Sequence, residues 1–376
     1  MQYYIDPLRY ESETERILTE LKVRHILLVC GRHSVCTPVC NSIKNLGRNR
    51  AIAITYFQDF SPNPRYDDIR KGVRVFREHH CDFVAAVGGG SAMDVAKCIV
   101  VFAGLREDKS YLEQEIVPGN VPLLAVPTTA GTGSEATQFA VIYVGGEKRS
   151  VEHKSALPEY VLLHPDNLLT LPDYQKKVTV CDALAHAVES YWSVHATAES
   201  KRLAETAIGL ILDNFEGYWK EGSYEQRRQM LLAANLAGRA INITKTTAAH
   251  AMCYKLTTLA GIPHGHAVMR CLPEVWAYMQ ENLAACTDSR GQTYLQKTLH
   301  ALAGCLRQET PADAIRFLRE LRFRAGLDTG LAGAVGEEQL ELLVSSVNPE
   351  RLGNFPIALT KDGLYEIYRN IIMENS

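Results

Sequence analysis

The sequence predicts an α/β domain built on a parallel sheet, followed by an all-helical domain. Three observations carry that expectation. Short apolar runs alternate with amphipathic stretches only in the first part of the chain. After Leu171-Pro172, apolar residues recur almost entirely at three- and four-residue intervals. The length of 376 residues also exceeds one ordinary domain. The expected domains are 1–171 and 172–376, with a ligand in the groove between them.

In chain order, HILLVC (25–30), AIAITYF (51–57), DFVAAV (82–87) and VPLLAV (121–126) read as strands. The stretches 62–80 and 91–104 read as the helices that cross between them. Beyond the boundary, helices are expected over 173–195, 198–219, 224–260, 265–285, 292–325, 337–346 and 361–373. The opening MQYYID reads as a short exposed strand able to pair across a two-fold axis, so a homodimer or larger even assembly is expected.

Composition narrows the function classes. Hydrophobic residues at 46% and charged residues at 22% exclude a disordered or collagen-like chain. A net charge of −3 and a pI near 6.5 provide no basic field for nucleic acid or an anionic membrane surface. No run reaches the roughly 18 apolar residues of a membrane span, and the start lacks a basic segment leading into an apolar one. A soluble, cytoplasmic protein is expected. The ten cysteines are scattered without a CxxC pair, which favours reduced, mostly buried thiols. Cys36 and Cys40 share a helical face, yet two thiols alone make a poor zinc site.

The strand DFVAAV runs directly into Gly88-Gly89-Gly90-Ser91 and then a helix carrying Asp94. Glycines permit close backbone approach, and a helix N-terminus presents unpaired N–H groups to a pyrophosphate. Met93 stands where the third glycine of GxGxxG would be, so a tight structural turn is the competing reading. A second loop, Pro127-Thr128-Thr129-Ala130-Gly131-Thr132-Gly133-Ser134-Glu135, follows another strand and offers hydroxyls to phosphate and ribose. Two such loops at strand ends argue for a nucleotide.

Asp182 and His186 are four apart in TVCDALAHAVESYW and project from one face of a helix. Such a pair by itself is more often structural than metal-binding. His250 and His264, separated by the break Gly261-Ile262-Pro263, can close a set of one carboxylate and three imidazoles. That set suits Fe²⁺ or Zn²⁺ with positions left for a substrate oxygen. His266, two residues beyond, cannot share the face of His264 and is a proton-transfer candidate or a polar cleft residue.

Taken together, VGGGSAMDVAK (87–97), PTTAGTGSEAT (127–137), CDALAHAVESYWS, the His250 to His264 segment and NPERLGN resemble the iron-containing (group III) alcohol dehydrogenases. That family is related in fold to glycerol dehydrogenase and dehydroquinate synthase. The resemblance implies an N-terminal dinucleotide-binding domain and a helical metal-binding domain of the dehydroquinate synthase-like type. It implies that Gly88, Gly89, Gly90, Ser91 and Asp94 hold the pyrophosphate region and that Thr128, Thr129 and Thr132 line the adenosine path, with Lys148 and Leu171 at matching positions. Asp182, His186, His250 and His264 would be the metal ligands, and the metal a Lewis acid while a nicotinamide exchanges hydride.

Two departures from the family pattern matter. NAD-preferring members carry an acidic residue where this chain has Gly31, and Arg32 beside it suits a 2′-phosphate, which favours NADPH over NADH. Tyr254 stands where many members have a further histidine, making Tyr254, with His266, the candidate proton relay.

From Ile241 to Pro273 the chain has no Asp or Glu, while Lys245, Lys255 and Arg270 are present. Positive charge accumulated beside a metal points to an anionic substrate, with a solvated basic helix face as the alternative. The local string also resembles the phosphonoacetaldehyde reductases, which would make Lys245 and Lys255 partners of a phosphonate. Competing expectations are a neutral-alcohol dehydrogenase of the propanediol, lactaldehyde or butanol type, and a dehydroquinate synthase-like cyclase.

Overall fold

A computed structural model of the chain describes residues 2–32, 34–117, 119, 121–328, 331 and 335–373. Its residues group into two compact units, 1–171 with 222–235, and 172–221 with 236–376.

The first unit opens with β1 (Tyr3–Tyr4) and α1 (Tyr10–Glu20), followed by β2 (His25–Cys30), α2 (Pro38–Arg50), β3 (Ala53–Phe57), α3 (Tyr66–Glu78), β4 (Phe83–Gly88) and α4 (Gly90–Phe102). It continues through β5 (Leu123–Pro127), β6 (Phe139–Val144), β7 (Glu147–Glu152) and β8 (Tyr160–Val161). Six strands form one parallel sheet in the order β1-β8-β5-β4-β2-β3. Apart from His25 at the start of β2, its central strands are apolar because both faces are covered. Leu27, Val29, Val84 and Ala86 pack against α3 and α4, whereas Ile26, Leu28, Phe83 and Ala85 pack against α1 and α2.

The expected strand at 1–6 is limited to Tyr3–Tyr4, and Met1 lies outside the described residues. β1 pairs with β8 along one edge and forms the margin of the sheet. Helices α1 and α2 and strands β6, β7 and β8 went unread in the sequence. Helix α2 is announced by Thr37, whose hydroxyl accepts from Cys40 N, and by Pro38 in its first turn. Helix α1 has no side-chain cap to announce it. The antiparallel hairpin of β6 and β7 turns at Gly145-Gly146, with φ of +59° and +87°, the left-handed values that a two-residue primed turn requires.

The second unit is helical: α5 (Asp173–Trp192), α6 (Ala198–Lys220), the later part of α7 (Tyr224–Thr244), α8 (Ala248–Ala260), α9 (His264–Glu281), α10 (Gln292–Cys305), α11 (Pro311–Arg324), α12 (Leu340–Ser345), α13 (Pro349–Leu352) and α14 (Lys361–Met373). Among the described residues no helix is long and apolar enough to cross a membrane.

Two of the expected helices are each divided. The stretch 224–260 breaks at Lys245, which takes φ of 61°, and Thr244 bonds back to the Ala240 carbonyl. Threonine hydroxyls compete with the helix ladder, and an apolar periodicity that continues across the gap conceals the break. The stretch 292–325 breaks after Arg307, also left-handed at 61°. There Thr310 accepts from Asp313 N and Pro311 starts α11, a start signal present in the sequence. Of 337–346, only Leu340–Ser345 is α-helical, preceded by a single tighter turn.

Candidate active site

In the first unit, β2, β4 and β5 end side by side, with Cys30 paired to Val87 and Gly88 to Pro127. This register brings the two glycine- and hydroxyl-rich loops together. Thr128 N donates to the Gly88 carbonyl at 2.9 Å. A Cβ on Gly88 would lie 2.6 Å from the Ala92 Cβ, and one on Gly90 would lie 3.0 Å from Thr132. The turn therefore has no room for a side chain at Gly88 and little at Gly90, and α4 begins directly at its end.

A buried fastening holds the second loop on α4. The Lys97 ammonium donates to Ser134 Oγ at 2.9 Å, Thr137 Oγ1 at 2.8 Å and the Phe139 carbonyl at 2.9 Å. Ser134 Oγ in turn donates to Asp94 Oδ1 at 2.9 Å. Burial pulls the Lys97 ammonium down to about 8 against the opposing pull of Asp94, and burial raises the Asp94 carboxyl. The carboxylate of Asp94 is thus engaged with the loop itself. Ser91 Oγ accepts from Asn63 N at 3.3 Å, Gly31 is half-buried next to Gly88, and Arg32 is exposed. Lys148 lies on β7 opposite Tyr143 and within electrostatic reach of Asp94. Leu171 closes the unit with its N–H on the Leu168 carbonyl.

In the second unit, α5 is buried from Val178 onward and places Val178, Asp182, His186 and Glu189 along one face. His250 enters from the first turn of α8, and His264 is the first residue of α9. Ligand atoms of Asp182, His186 and His250 lie within 4.8 Å of one another. His264 Nε2 is 3.9 Å from Asp182 Oδ1, so all four residues converge. The His186 and His250 rings stack at 4.5 Å between centroids.

Gly265 permits that convergence. A Cβ there would fall 2.3 Å from the Val178 carbonyl oxygen and 2.9 Å from the Asp182 Cβ, so only glycine lets α9 start against α5.

The donor set fits a divalent cation. Asp182 Oδ1 and His250 Nε2 are buried, 3.6 Å apart, and neither has a hydrogen-bond partner. Buried polar atoms left facing each other are costly unless something between them takes their lone pairs. Burial would raise the Asp182 carboxyl, but the surrounding imidazoles outweigh it and hold the group well below the carboxylate range.

Glu189 is the residue that sequence reasoning missed. It is fully buried and bonds His250 Nδ1 through one oxygen. The other oxygen accepts from Thr247 Oγ1 at 2.5 Å, Thr247 N at 3.2 Å and Ala249 N at 2.9 Å. One carboxylate thereby caps α8 and leaves His250 Nε2 directed towards Asp182. Its spacing of seven from Asp182 on the same face was the available signal.

The remaining candidates are dispersed. Tyr254 stacks on His264 at 5.6 Å with planes 7° apart, and its hydroxyl accepts from Arg351 Nη1 at 2.7 Å. Both nitrogens of His266 are engaged, Nδ1 with the Tyr174 hydroxyl and Nε2 with the Leu327 carbonyl, each at 2.8 Å. Lys245 occupies the left-handed turn before α8. Lys255 lies five residues beyond His250, about 140° around the helix from it. Arg270 is completely buried, paired with Asp328 at 3.1 Å and the Ile371 carbonyl at 2.7 Å, so its charge is spent inside the fold.

Comparison with known proteins places both units. Residues 9–165 match the iron-containing alcohol dehydrogenases, and residues 177–372 match the C-terminal part of the Fe-containing alcohol dehydrogenase family. A probable alcohol dehydrogenase of Escherichia coli, EutG, is 32% identical over 76% of this chain and 71% of its own length. A phosphonoacetaldehyde reductase of Streptomyces viridochromogenes is 31% identical over 79% of this chain and 78% of its own. Among solved structures, sulfoacetaldehyde reductase from Bifidobacterium kashiwanohense, in complex with NAD+, superposes with a TM-score of 0.84 at 26% identity, covering 99% of each chain.

Proposed function

Because the chain belongs to the iron-containing alcohol dehydrogenase family, we propose that it reduces a small anionic aldehyde to the primary alcohol, with phosphonoacetaldehyde giving 2-hydroxyethylphosphonate as the leading reaction. The oxidoreductase chemistry rests on one observation, the convergence of Asp182, His186, His250 and His264 around two unsatisfied buried atoms. These four residues would hold Fe²⁺, or Zn²⁺ in its place, and the bound ion supplies Lewis-acid polarisation of the substrate oxygen.

The chain's own residues account for the other requirements. The Gly88 to Ser91 turn and the start of α4 would receive the cofactor pyrophosphate, with Thr128, Thr129 and Thr132 beside it. Gly31 carries no carboxylate to repel a 2′-phosphate and Arg32 is exposed next to it, which supports NADPH. Asp94 acts by holding Ser134, and hence the hydroxyl loop, in place. Reduction transfers a hydride from the nicotinamide to the carbonyl carbon and a proton to its oxygen. Tyr254, stacked on His264, is the titratable group suited to that proton. His266, with both nitrogens bonded, anchors the start of α9.

The anionic substrate is supported by the carboxylate-free stretch from Ile241 to Pro273, whose two lysines are Lys245 and Lys255 and whose Arg270 is engaged by Asp328. Two relatives are named for two-carbon aldehydes bearing a strong acid, one a phosphonate and one a sulfonate. A homodimer formed across the β1 margin belongs to the same reading.

The test is anaerobic oxidation of NADPH and NADH by Fe²⁺-loaded protein with phosphonoacetaldehyde, propionaldehyde and lactaldehyde. Preference for the phosphonate is expected. Equal or better turnover of the neutral aldehydes would make the protein a neutral-alcohol dehydrogenase. Lys245→Ala should raise KM for the phosphonate alone.

A further inference from the structure

Arg351 is tied to the histidine cluster through Tyr254. It lies on α13, the short helix of the NPERLGN segment, far along the chain from the carboxylate-free stretch. Its guanidinium carbon stands 5.1 Å from the centre of the Tyr254 ring, and that ring is stacked on His264. The loop after α13 is fixed against the same helix start: Asn354 Nδ2 donates to the Thr246 carbonyl at 3.1 Å, just before the Thr247 that Glu189 holds. Phe355 packs edge-on to Trp192, whose indole N–H donates to Thr247 at 2.9 Å.

Several arginines of the helical unit are neutralised: Arg270 and Arg322 by Asp328, Arg319 by Glu274, and Arg290 by Asp288. Arg202, Arg239 and Arg369, which have no carboxylate partner among the described residues, are exposed to solvent. Among the described residues Arg351 has no carboxylate partner and makes one hydrogen bond, to a neutral phenol. The side chain is half-buried. A guanidinium has five N–H donors arranged for bidentate contact with an oxyanion, and partial burial beside aromatic rings strengthens such a contact. With one donor engaged by the phenol, the other guanidinium N–H groups are available to an oxyanion.

We propose that Arg351 recognises the anionic group of the substrate and selects short aldehydes whose acid group is a phosphonate, sulfonate or similar oxyanion. Tyr254 sets its position, bonding one guanidinium nitrogen and leaving the rest for the ligand. The inference rests on the anionic-aldehyde reading above and assigns its specificity to a residue outside the lysine pair.

The experiment uses the full-length, Fe²⁺-loaded protein as wild type, Arg351→Gln and Arg351→Lys. KM and kcat are measured for phosphonoacetaldehyde and propionaldehyde, and methylphosphonate binding is measured by calorimetry. Arg351→Gln should raise KM for phosphonoacetaldehyde roughly ten- to a hundredfold, the range for a hydrogen bond to a charged group, and weaken methylphosphonate binding to match. The KM for propionaldehyde should stay within about twofold, and Arg351→Lys should fall between wild type and Gln. Equal losses on both aldehydes, with methylphosphonate binding unchanged, would reduce Arg351 to a support for Tyr254 and overturn the proposal. Wild-type preference for the phosphonate that survives in Arg351→Gln overturns the role of Arg351 but keeps the anionic substrate. A wild type without that preference overturns both.

Discussion

Glu189 and His250 are joined through a carboxylate that also closes the N-terminus of the helix on which His250 sits. The residue that directs the imidazole therefore also fixes the backbone carrying it, so ring orientation and helix position cannot vary independently. A buried carboxylate satisfied by three donors on one oxygen and an imidazole on the other is a rigid support for a ligand atom.

Glu189→Gln keeps the shape and loses the charge. Metal affinity should fall about ten- to a hundredfold, the usual result of removing an outer partner of a histidine ligand. Competition against a chelator, read by metal content after dialysis, measures it. Unchanged affinity would leave Glu189 as a helix cap alone.

Gly265→Ala should prevent α9 from starting against α5, since its methyl group meets the Val178 carbonyl and Asp182. A cost of about 1 to 3 kcal/mol in stability is expected from the overpacking, together with weaker metal binding as His264 is displaced from Asp182. Calorimetric melting with and without Fe²⁺ checks both, and the metal-induced rise in melting temperature should shrink in the variant.

Lys97→Met should release Ser134 and Thr137 and so loosen the hydroxyl loop. Cofactor KM should rise while metal affinity stays at its wild-type value. The pH dependence has a definite sign. The Lys97 ammonium titrates at about 8 in the fold against 10.5 unfolded, so the unfolded chain holds the extra proton between those values. The melting temperature of the wild type relative to Lys97→Met should therefore increase from pH 8 towards 10.5.

Gly31→Asp places a carboxylate where the strand end lies beside the Gly88 turn, with 3.7 Å to Ser34 Oγ as the nearest contact for a new Cβ. The variant should lose NADPH turnover through repulsion of the 2′-phosphate and gain with NADH. A parallel loss with both cofactors would place the adenosine ribose elsewhere.

The sequence by itself determined the layered organisation, because a strand buried on both faces must be apolar throughout and a packed helix must repeat its apolar residues. HILLVC, DFVAAV and VPLLAV emerge as β2, β4 and β5 within two residues of their expected limits. It also supplied the metal-ligand candidates, since Asp182 and His186 share a helix face by spacing alone. Element ends were less legible: the breaks at Lys245 and Arg307 depend on left-handed residues that no apolar periodicity reveals.

Only the tertiary structure decided which charges are spent and which remain for a ligand. Arg270 looked available beside the histidines and is consumed by Asp328, 58 residues away, whereas Arg351 arrives from α13 beside Tyr254, 97 residues away. Glu189 reads as one more polar position of α5 until α8 sets its first N–H groups and His250 against it. The physical reason is range. Helix and strand patterns are set by neighbours a few residues apart, while the pairing of a buried charge is set by whichever distant element packs against it.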